Sequence, residues 1–231
     1  MATVVGHAPG LTGNQLKILA LVAMTADHVG MLLLPQVLWL RLLGRISMPI
    51  FAWMIAEGCR YTRSRRRYLA GILGLGVVCQ IITFLATGWL YQSILITFSL
   101  SLGMIFLWDA AQNTTWGLWA FAVGMAAVFF VTTILPDFLL QWYFGIDYDF
   151  FGVMLPLLFY LGRDKKQKLL LGGIGLVALS ILKDPTQWFC LFSLPLLALY
   201  NGQRGKRKLK YLFYIYYPLH LAALYLLVLF I

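Results

Sequence analysis

The chain has 231 residues, of which 61% are hydrophobic and only 11% charged, with a formal net charge of +10 and a mean hydropathy of +0.84. A soluble domain carries about 25% charged residues, so this composition excludes an ordinary soluble domain and predicts an all-α, polytopic membrane protein. The positive charge does not indicate a nucleic-acid partner, because most Lys and Arg lie in three short segments between apolar stretches. These basic segments are Arg60–Arg67, Arg163–Lys168 and Arg204–Lys210.

In chain order, the apolar stretches predict about nine transmembrane helices, since a span needs about 20 apolar residues and fewer when it is partly buried. They are Leu16–Leu34, Val37–Cys59, Tyr68–Ala86, Ser93–Trp108, Trp116–Leu135, Phe150–Leu161, Leu169–Leu182, Trp188–Tyr200 and Tyr211–Ile231. The sixth to eighth stretches are the shortest. We expect one membrane domain over residues 1–231, with residues 1–15 forming a short cytoplasmic tail rather than a signal peptide.

The basic segments test this count. Two predicted spans precede the first segment, four separate it from the second, and two more lead to the third. Even numbers of crossings return all three segments to the same side, which is the cytoplasm if they follow the usual orientation signal. The sequence therefore predicts a cytoplasmic N-terminus and an outer C-terminus, in the bacterial cytoplasmic membrane.

Ionisable residues occur inside several of these spans. Asp27 and His28 lie in the first, Arg41 and Arg45 in the second, and His220 in the last. A charge at the centre of a membrane helix costs about 2.5–3.5 kcal/mol on insertion scales, so such residues usually face a protein interior or a polar cavity. At 1.5 Å per residue, His28 lies about 18 Å from the inner end of its span, and Arg45 about 12 Å from the outer end of its own. These similar depths predict one polar site within the membrane.

The residue types suggest roles for this site. Asp27 and His28 are adjacent and point about 100° apart on a helix, so they do not pair with each other. We expect Asp27 to neutralise Arg41 or Arg45, which leaves His28 free to act as a base. An alternative is that Asp27 and an arginine form a purely structural ion pair, and that His220 is only a hydrogen-bonded packing residue.

The polar residues nearer the cytoplasm have simpler interpretations. Glu57 lies near the cytoplasmic edge of the second span, and Arg60–Arg67 follows it. This basic run is an orientation signal that contacts anionic lipid, and it is also suited to receive an anionic cytosolic substrate. The three cysteines have neither metal-ligand nor redox spacing. No ligand cluster supports a metal ion, and we expect none.

Four segments together resemble the TraX family of integral membrane acetyltransferases. The segments, which run in the family's order over nearly the whole chain, are Leu16–His28, Arg41–Gly58, Asp149–Gly152 and Phe213–His220. Each piece alone is unspecific, but the combination is specific. One mild departure is Ser47-Met48, where such families commonly have an aromatic residue or alanine.

The resemblance implies transfer of an acetyl group from acetyl-CoA to an amine, such as the N-terminus of a pilin-like or other exported peptide. It implies that the donor is bound near the cytoplasmic mouth of the protein. The expected donor-binding residues are Glu57, Arg60, Arg63, Arg65, Arg66 and Arg67. No nucleic acid is implied, and membrane lipids are the remaining expected partners.

The resemblance also implies a catalytic group inside the membrane. Its expected members are His28, Asp27, Arg45 and His220. Either histidine would serve as the base, and Arg45 would stabilise the oxyanion. Residues expected to contact the substrate are Arg41, Asp149 and Tyr217. Two other classes stay open from the sequence: a proton-coupled transporter, and a non-catalytic assembly factor.

Overall fold

The architecture comes from a computed structural model, which describes residues 9–206 and 209–230. The first eight residues of the predicted cytoplasmic tail, and residues 207 and 208 of the third basic segment, lie outside the described residues. The α-helices are α1 (Gly13–Leu32), α2 (Leu38–Gly44), α3 (Ser47–Tyr61), α4 (Arg65–Thr87), α5 (Ile94–Ala111), α6 (Gly117–Phe129), α7 (Leu135–Phe138), α8 (Asp149–Leu161), α9 (Lys165–Leu182), α10 (Ser193–Ala198) and α11 (Lys210–Val228). Two short strands, β1 (Tyr91–Gln92) and β2 (Gly145–Ile146), pair in parallel.

Side-chain caps mark the start of several helices. Thr12 and Gln15 form a reciprocal capping box at the first residues of α1, while Ser64 caps α4 and Asp164 caps α9. Such caps satisfy backbone N–H groups that have no partner inside the helix. The helices therefore begin at polar residues that flank the apolar stretches.

Five helical segments among the described residues are long and apolar enough to cross a membrane. Two shorter apolar helices, Asp149–Leu161 and Tyr214–Val228, accompany them. The protein is therefore a nearly all-α membrane protein, as the composition predicts. The five long segments are Gly13–Leu32, Leu38–Tyr61, Arg65–Thr87, Ile94–Ala111 and Gly117–Phe138. The count of nine crossings and the direction of insertion stay predictions.

The second predicted span, Val37–Cys59, is not one continuous α-helix. Helix α2 ends at Gly44 and α3 begins at Ser47. Between them, Arg45 and Ile46 form a tight turn. The backbone N–H of Arg45 bonds to the carbonyl of Leu42, three residues earlier. The long apolar segment Leu38–Tyr61 agrees with the predicted span, and the turn at Arg45 is a local feature that hydropathy does not report.

The eighth predicted span, Trp188–Tyr200, is also not a regular α-helix. Residues Pro185–Phe192 form a 3₁₀-helix that leads directly into the six-residue α10. A 3₁₀-helix rises about 2.0 Å per residue and an α-helix 1.5 Å. These two pieces therefore extend about 25 Å with few residues, which explains why this stretch is so short in the sequence.

Three connecting regions meet at one end of the bundle, which we call the basic end. Arg60 donates a hydrogen bond to the carbonyl of Gly162 (2.7 Å), and Lys165 donates one to the carbonyl of Tyr200 (3.0 Å). Leu11, just before α1, forms an isolated parallel bridge with Tyr200. The segment before α1 and the described parts of all three basic segments therefore share one side of the bundle.

The opposite end, which we call the acidic end, carries Asp147, Asp149 and Asp184. The parallel pair of strands lies here, and the Asp147 backbone N–H continues it by bonding to the Gln92 carbonyl (3.1 Å). The side chain of Asp149 forms an ion pair with Lys183 at the end of α9. The acidic loops and the basic loops are thus segregated, which is the arrangement that the charge pattern predicts.

The core lies where α3, α5 and α8 pack together. Trp53 of α3 is almost completely buried and contacts Phe159 of α8 edge-on, with ring centroids 5.2 Å apart. In contrast, the apolar side chains of α4 and α6 are largely exposed, as expected for helices that face lipid. α1 and α11 pack at the side of this core and carry the histidines.

Candidate active site

The two membrane histidines are in direct contact. His28 Nδ1 of α1 lies 2.8 Å from His220 Nε2 of α11, and the rings stack with centroids 5.1 Å apart. His220 is buried, with 8% of its surface exposed. The structure thus brings together two residues that are 192 positions apart in the chain. They form one unit, which we call the histidine pair.

The hydrogen bonds define the tautomer of the histidine pair. His220 Nδ1 lies 3.0 Å from the carbonyl oxygen of Tyr216, and a carbonyl only accepts, so this nitrogen carries the proton. A neutral imidazole has one donor and one acceptor, so His220 Nε2 must accept from His28 Nδ1–H. Both Nε2 atoms are then without a proton, and His28 Nε2 is the one that accepts no hydrogen bond from the described residues. The arrangement leaves a basic lone pair on His28.

Tyr216 holds His220 in place by more than its carbonyl. Its ring stacks on that of His220, with centroids 5.2 Å apart and planes 14° from parallel. Its hydroxyl lies 2.6 Å from Thr25 Oγ1. Thr25 already donates to the carbonyl of Leu21 (2.8 Å), so the tyrosine hydroxyl donates to Thr25. This contact between α11 and α1 fixes the relative position of the histidines.

The predicted ion pair of Asp27 is present. Arg41 Nη1 lies 2.8 Å from Asp27 Oδ2, and Arg45 Nη2 lies 3.9 Å from Asp27 Oδ1. Gly44 allows this approach, because a Cβ atom there would come within 2.3 Å of the Asp27 Cβ. A side chain at Gly44 would therefore push α2 away from α1 and separate Asp27 from both arginines.

Arg45 lies at the break between α2 and α3, with 7% of its surface exposed. Its Nε and Asp27 Oδ1 are both buried without a hydrogen-bond partner among the described residues. Buried polar atoms are nearly always satisfied in a folded protein, and exceptions need an explanation. An open acceptor on Asp27, the residue before His28, and an open donor on Arg45 are suited to contact a polar substrate.

Sequence reasoning did not include Tyr148 in the site. It lies near Arg45, and its backbone has a positive φ of 60°. The neighbouring Asp147 interacts electrostatically with Asp27, Arg41 and Arg45. Both residues belong to a loop rather than a span, so the search for charges at membrane depth could not find them. A usable signal was their position directly before the Asp149–Gly152 segment.

The other two predicted substrate residues, Tyr217 and Asp149, lie in different parts of the structure. Tyr217 is buried and lies edge-on to both histidines, with ring centroids 5.2 Å from His220 and 6.5 Å from His28. Asp149 instead forms an ion pair with Lys183 at the acidic end. Tyr217 therefore packs against the histidine pair, whereas Asp149 links the start of α8 to the end of α9.

The predicted donor-binding residues at the basic end fall into two groups. Three are already bound to other protein groups: Glu57 Oε1 lies 2.5 Å from Lys168 Nζ, Arg60 donates to the carbonyls of Tyr160 and Gly162, and Arg65 lies 2.6 Å from Asp109 Oδ2. The other three are exposed and make no side-chain hydrogen bond or ion pair with the described residues. These exposed arginines are Arg63, Arg66 and Arg67.

The histidine pair lies closer to the acidic end than the sequence estimate places it. His28 is 15 residues after the first residue of α1 and 4 before its last, or about 22 Å and 6 Å along the helix. The estimate of 18 Å assumed a span from Leu16 to Leu34, whereas α1 begins at Gly13. Any reactant that enters at the basic end must therefore extend through most of the bundle.

No metal site competes with this interpretation of the cluster. Among residues 9–206 and 209–230, no group of three or more His, Cys, Asp or Glu side chains is arranged to hold an ion. The cluster offers the lone pair of His28 Nε2, which the contact between the histidines does not use, a buried guanidinium and a carboxylate. These groups can remove a proton, bind an oxyanion and orient a polar group.

Comparison with known proteins identifies the family of this chain. The model of the TraX protein family matches residues 12–228, which include every element of the cluster. The chain belongs to the TraX family. No solved structure matches it significantly.

Two curated relatives of this TraX family member were found. One, from Dichelobacter nodosus, is named "Probable fimbrial assembly protein FimC, serogroup H1"; it is 26% identical over 91% of this chain and 93% of its own length. The other is an uncharacterised protein of Rickettsia prowazekii, 36% identical over 43% of this chain and 38% of its own length. The first similarity extends over nearly the whole of both chains.

Proposed function

We propose that this TraX family protein is an acetyl-CoA-dependent N-acetyltransferase of the bacterial cytoplasmic membrane. The observation that carries the proposal is the histidine pair, in which the hydrogen-bond pattern leaves His28 Nε2 unprotonated, one residue from Asp27 and its ion pair with Arg41. A histidine with a free lone pair is the usual general base near neutral pH. The acceptor is the amine of a membrane-bound or exported peptide.

In the proposed reaction, His28 Nε2 removes a proton from the acceptor amine as the amine nitrogen attacks the thioester carbonyl. A C–N bond forms, the C–S bond breaks, and the thiolate of coenzyme A takes up a proton. His220 accepts the Nδ1–H of His28 and so stabilises the imidazolium that forms. Arg45 faces the oxyanion of the tetrahedral intermediate, and Asp27 balances the charge of the two arginines.

The donor enters from the basic end in this proposal, which we take to be the cytoplasmic side. Arg63, Arg66 and Arg67 are exposed and are free to bind the phosphates of acetyl-CoA, because guanidinium groups pair well with phosphate. Arg60 and Arg65 contribute less, since they already bind Gly162 and Asp109. The long pantetheine arm then extends toward His28.

Two observations support a pilin-like acceptor in this proposal, the name of one relative and the position of the site. The Dichelobacter nodosus relative is named as a fimbrial assembly protein, which supports a pilin-like N-terminus as the acceptor of this chain. The site lies about 6 Å along α1 from the acidic end. A peptide amine on the outer side would therefore have a short path to His28.

The test is a transfer assay with the purified full-length protein in lipid nanodiscs. We expect acetyl-CoA and a synthetic peptide with a free N-terminal amine and an apolar N-terminal segment to give free coenzyme A and a peptide heavier by one acetyl group. A peptide with a blocked N-terminus is the control and should stay unmodified. Absence of both products, or proton flux in vesicles without thioester loss, would overturn the proposal.

A further inference from the structure

An apolar groove runs along the lipid-facing side of α9, and we call it the α9 groove. Leu170 and Ile174 lie on this side and are 65% and 58% exposed. The opposite wall consists of Leu191, in the 3₁₀-helix before α10, and Leu194 of α10, and the groove has a volume of about 430 Å³. A Cβ atom at Gly173 would lie 3.5 Å from Leu194 Cδ1. The small size of Gly173 thus keeps the groove open between its two walls.

One exposed cation lies on the same face of α9 as the groove. Lys166 is the second residue of the helix. The groove residues Leu170, Gly173 and Val177 follow it by four, seven and eleven positions, and such spacings place residues on one stripe of a helix. The Lys166 side chain is exposed and forms no hydrogen bond or ion pair with the rest of the described chain. It is therefore available to a group that occupies the groove.

Lys165 adds a second cation at this end of the groove. Its Nζ donates a hydrogen bond to the carbonyl of Tyr200 (3.0 Å), just after α10, so Lys165 connects the two walls and has two further N–H donors. The acidic neighbour, Asp164, caps α9, because its carboxylate accepts from the backbone N–H of Gln167 (2.9 Å). The N-terminal end of a helix also carries partial positive charge, so this end of the groove is suited to an anion.

The length of the α9 groove matches one leaflet of a bilayer. From Lys166 to Val177, α9 rises about 16 Å at 1.5 Å per residue, and half of a hydrocarbon core of about 30 Å is about 15 Å. A phospholipid with its phosphate at Lys166 would thus extend an acyl chain to the middle of the membrane. The groove has the polarity of a lipid along its length, with cations at one end and apolar side chains beyond them.

A second apolar groove provides a comparison within the same protein. It lies along α6, where Phe121 and Met125 of α6 and Phe150 of α8 contribute to its walls, and it has a volume of about 380 Å³. The sequence has no Lys or Arg from residue 110 to residue 162, which includes all of α6. Lipid tails are as apolar as the walls of either groove, so an apolar groove alone gives little preference for one lipid. The two lysines are what distinguish the α9 groove.

From these observations we propose that the α9 groove binds an anionic phospholipid from the leaflet at the basic end. The phosphate of this lipid lies between Lys165 and Lys166, and one acyl chain passes over Gly173. A basic residue near the membrane surface favours an anionic lipid about five-fold, so the preference over a zwitterionic lipid should be at least that large. This lipid site is separate from the histidine pair and does not rest on acetyl transfer.

The test uses the purified full-length protein in nanodiscs of equal parts phosphatidylglycerol and phosphatidylcholine. A trace of one lipid or the other carries a photoreactive diazirine in its acyl chain, and the labelled peptides are located by mass spectrometry after proteolysis. In residues 169–177 and 191–194, we expect labelling by the phosphatidylglycerol probe to exceed labelling by the phosphatidylcholine probe about five-fold or more. The groove along α6 is the internal control and should be labelled equally by both probes.

A charge variant tests the recognition of the headgroup. Lys166→Gln removes one cation and should lower the preference for the phosphatidylglycerol probe in the α9 groove about five-fold. Lys206→Gln is the matched control, because Lys206 is an exposed lysine of the third basic segment, and it should leave the preference unchanged.

A second variant tests the seat of the acyl chain. Gly173→Leu places a side chain in the groove, and the fold should tolerate it, because a Cβ atom there makes only an ordinary contact with Leu194. Labelling of the α9 groove by both probes should fall. Gly74→Leu is the matched control, since it adds the same side chain on α4, where a Cβ atom has nothing within 4 Å, and it should leave this labelling unchanged.

Three outcomes would overturn the inference. Equal labelling of the α9 groove by the two probes, with no effect of Lys166→Gln, would exclude recognition of an anionic headgroup. Loss of the labelling when the synthetic acceptor peptide is added would make the groove a seat for the acceptor instead. An unlabelled groove in a protein that forms dimers in the nanodisc would make it an interface between two copies. The experiment contains no acetyl-CoA, so its result is independent of the transferase proposal.

Discussion

The basic end and the histidine pair both contain buried charged groups, but they differ in how these groups are satisfied. At the basic end, Glu57 is bound to Lys168, and Arg65 to Asp109. At Asp27, the residue before His28, Oδ1 makes no hydrogen bond among the described residues, and the same is true of Arg45 Nε; Arg45 Nη2 and Asp27 Oδ1 are 3.9 Å apart. A closed ion pair holds helices together, whereas an open donor and acceptor can bind something else. The contrast separates residues that build the protein from residues available for chemistry.

The largest effect on activity is expected from a substitution in the histidine pair. Replacing His28 by Gln keeps its size but removes the base, and loss of a general base lowers the rate about 10²–10⁴-fold. We expect the His28→Gln protein to bind acetyl-CoA and fail to acetylate the peptide, as measured by equilibrium binding and mass spectrometry.

The matched variant for this experiment is at His220. His220→Gln retains an acceptor for the His28 Nδ1–H and should keep part of the activity, whereas His220→Leu should lose more of it. If His28→Gln turned over nearly normally and His220→Gln did not, the base would have to be His220 instead. Near-normal turnover in both would exclude a histidine mechanism.

Asp27 has two expected effects, because it belongs to the candidate site and also holds α1 against α2 through its ion pair with Arg41. In Asp27→Asn, Arg41 and Arg45 lose their counter-charge, and breaking a buried pair in this way costs about 3–5 kcal/mol. We expect a lower thermal unfolding temperature together with loss of activity. A thermally stable protein that has lost only activity would show instead that Asp27 takes part in the chemistry.

A variant of the ion pair between Glu57 and Lys168 tests whether the charged groups of the basic end are only structural. Glu57→Gln leaves Lys168 as an uncompensated cation and should lower stability by up to about 3–5 kcal/mol, without affecting the turnover of the protein that stays folded. The control is the double variant Glu57→Leu with Lys168→Met, in which no charge is left unpaired, and it should recover most of the thermal stability. A fall in turnover at unchanged stability would connect this pair to the active site.

The smallest effect is expected for the exposed arginines of the basic end. Replacing Arg63, Arg66 and Arg67 by Gln should weaken acetyl-CoA binding several-fold, and the difference from wild type should shrink at high salt, because exposed charges are screened within about 10 Å at 0.1 M salt. Arg163→Gln with Lys166→Gln is the control, as these exposed residues lie in another basic segment. Unchanged donor affinity in the triple variant would show that Arg63, Arg66 and Arg67 serve only as an orientation signal.

Much of the fold was predictable because the membrane imposes simple rules. A long apolar stretch must form a helix, since no backbone group in the hydrocarbon can remain unpaired, and this rule found the long spans. The same rule does not predict where a helix changes from α to 3₁₀ geometry. The turn at Arg45 and the 3₁₀-helix Pro185–Phe192 were therefore not predicted. Both depend on packing against neighbouring helices.

The candidate site was predictable where its members carry charge at membrane depth. Such residues are costly to insert, and so Asp27, His28, Arg45 and His220 stood out in an apolar sequence. Tyr148 did not, because a tyrosine in a loop is an ordinary residue until its backbone conformation is known.

The sequence by itself determined that this chain is an α-helical membrane protein with basic and acidic loops at opposite ends, because hydropathy and charge act locally and can be read residue by residue. Only the tertiary structure decided that His28 bonds to His220, which of their four nitrogens is left without a proton or partner, and which arginines are already occupied. Those features depend on distances between residues far apart in the chain. Helix packing sets such distances, with glycines such as Gly44 permitting the closest approach.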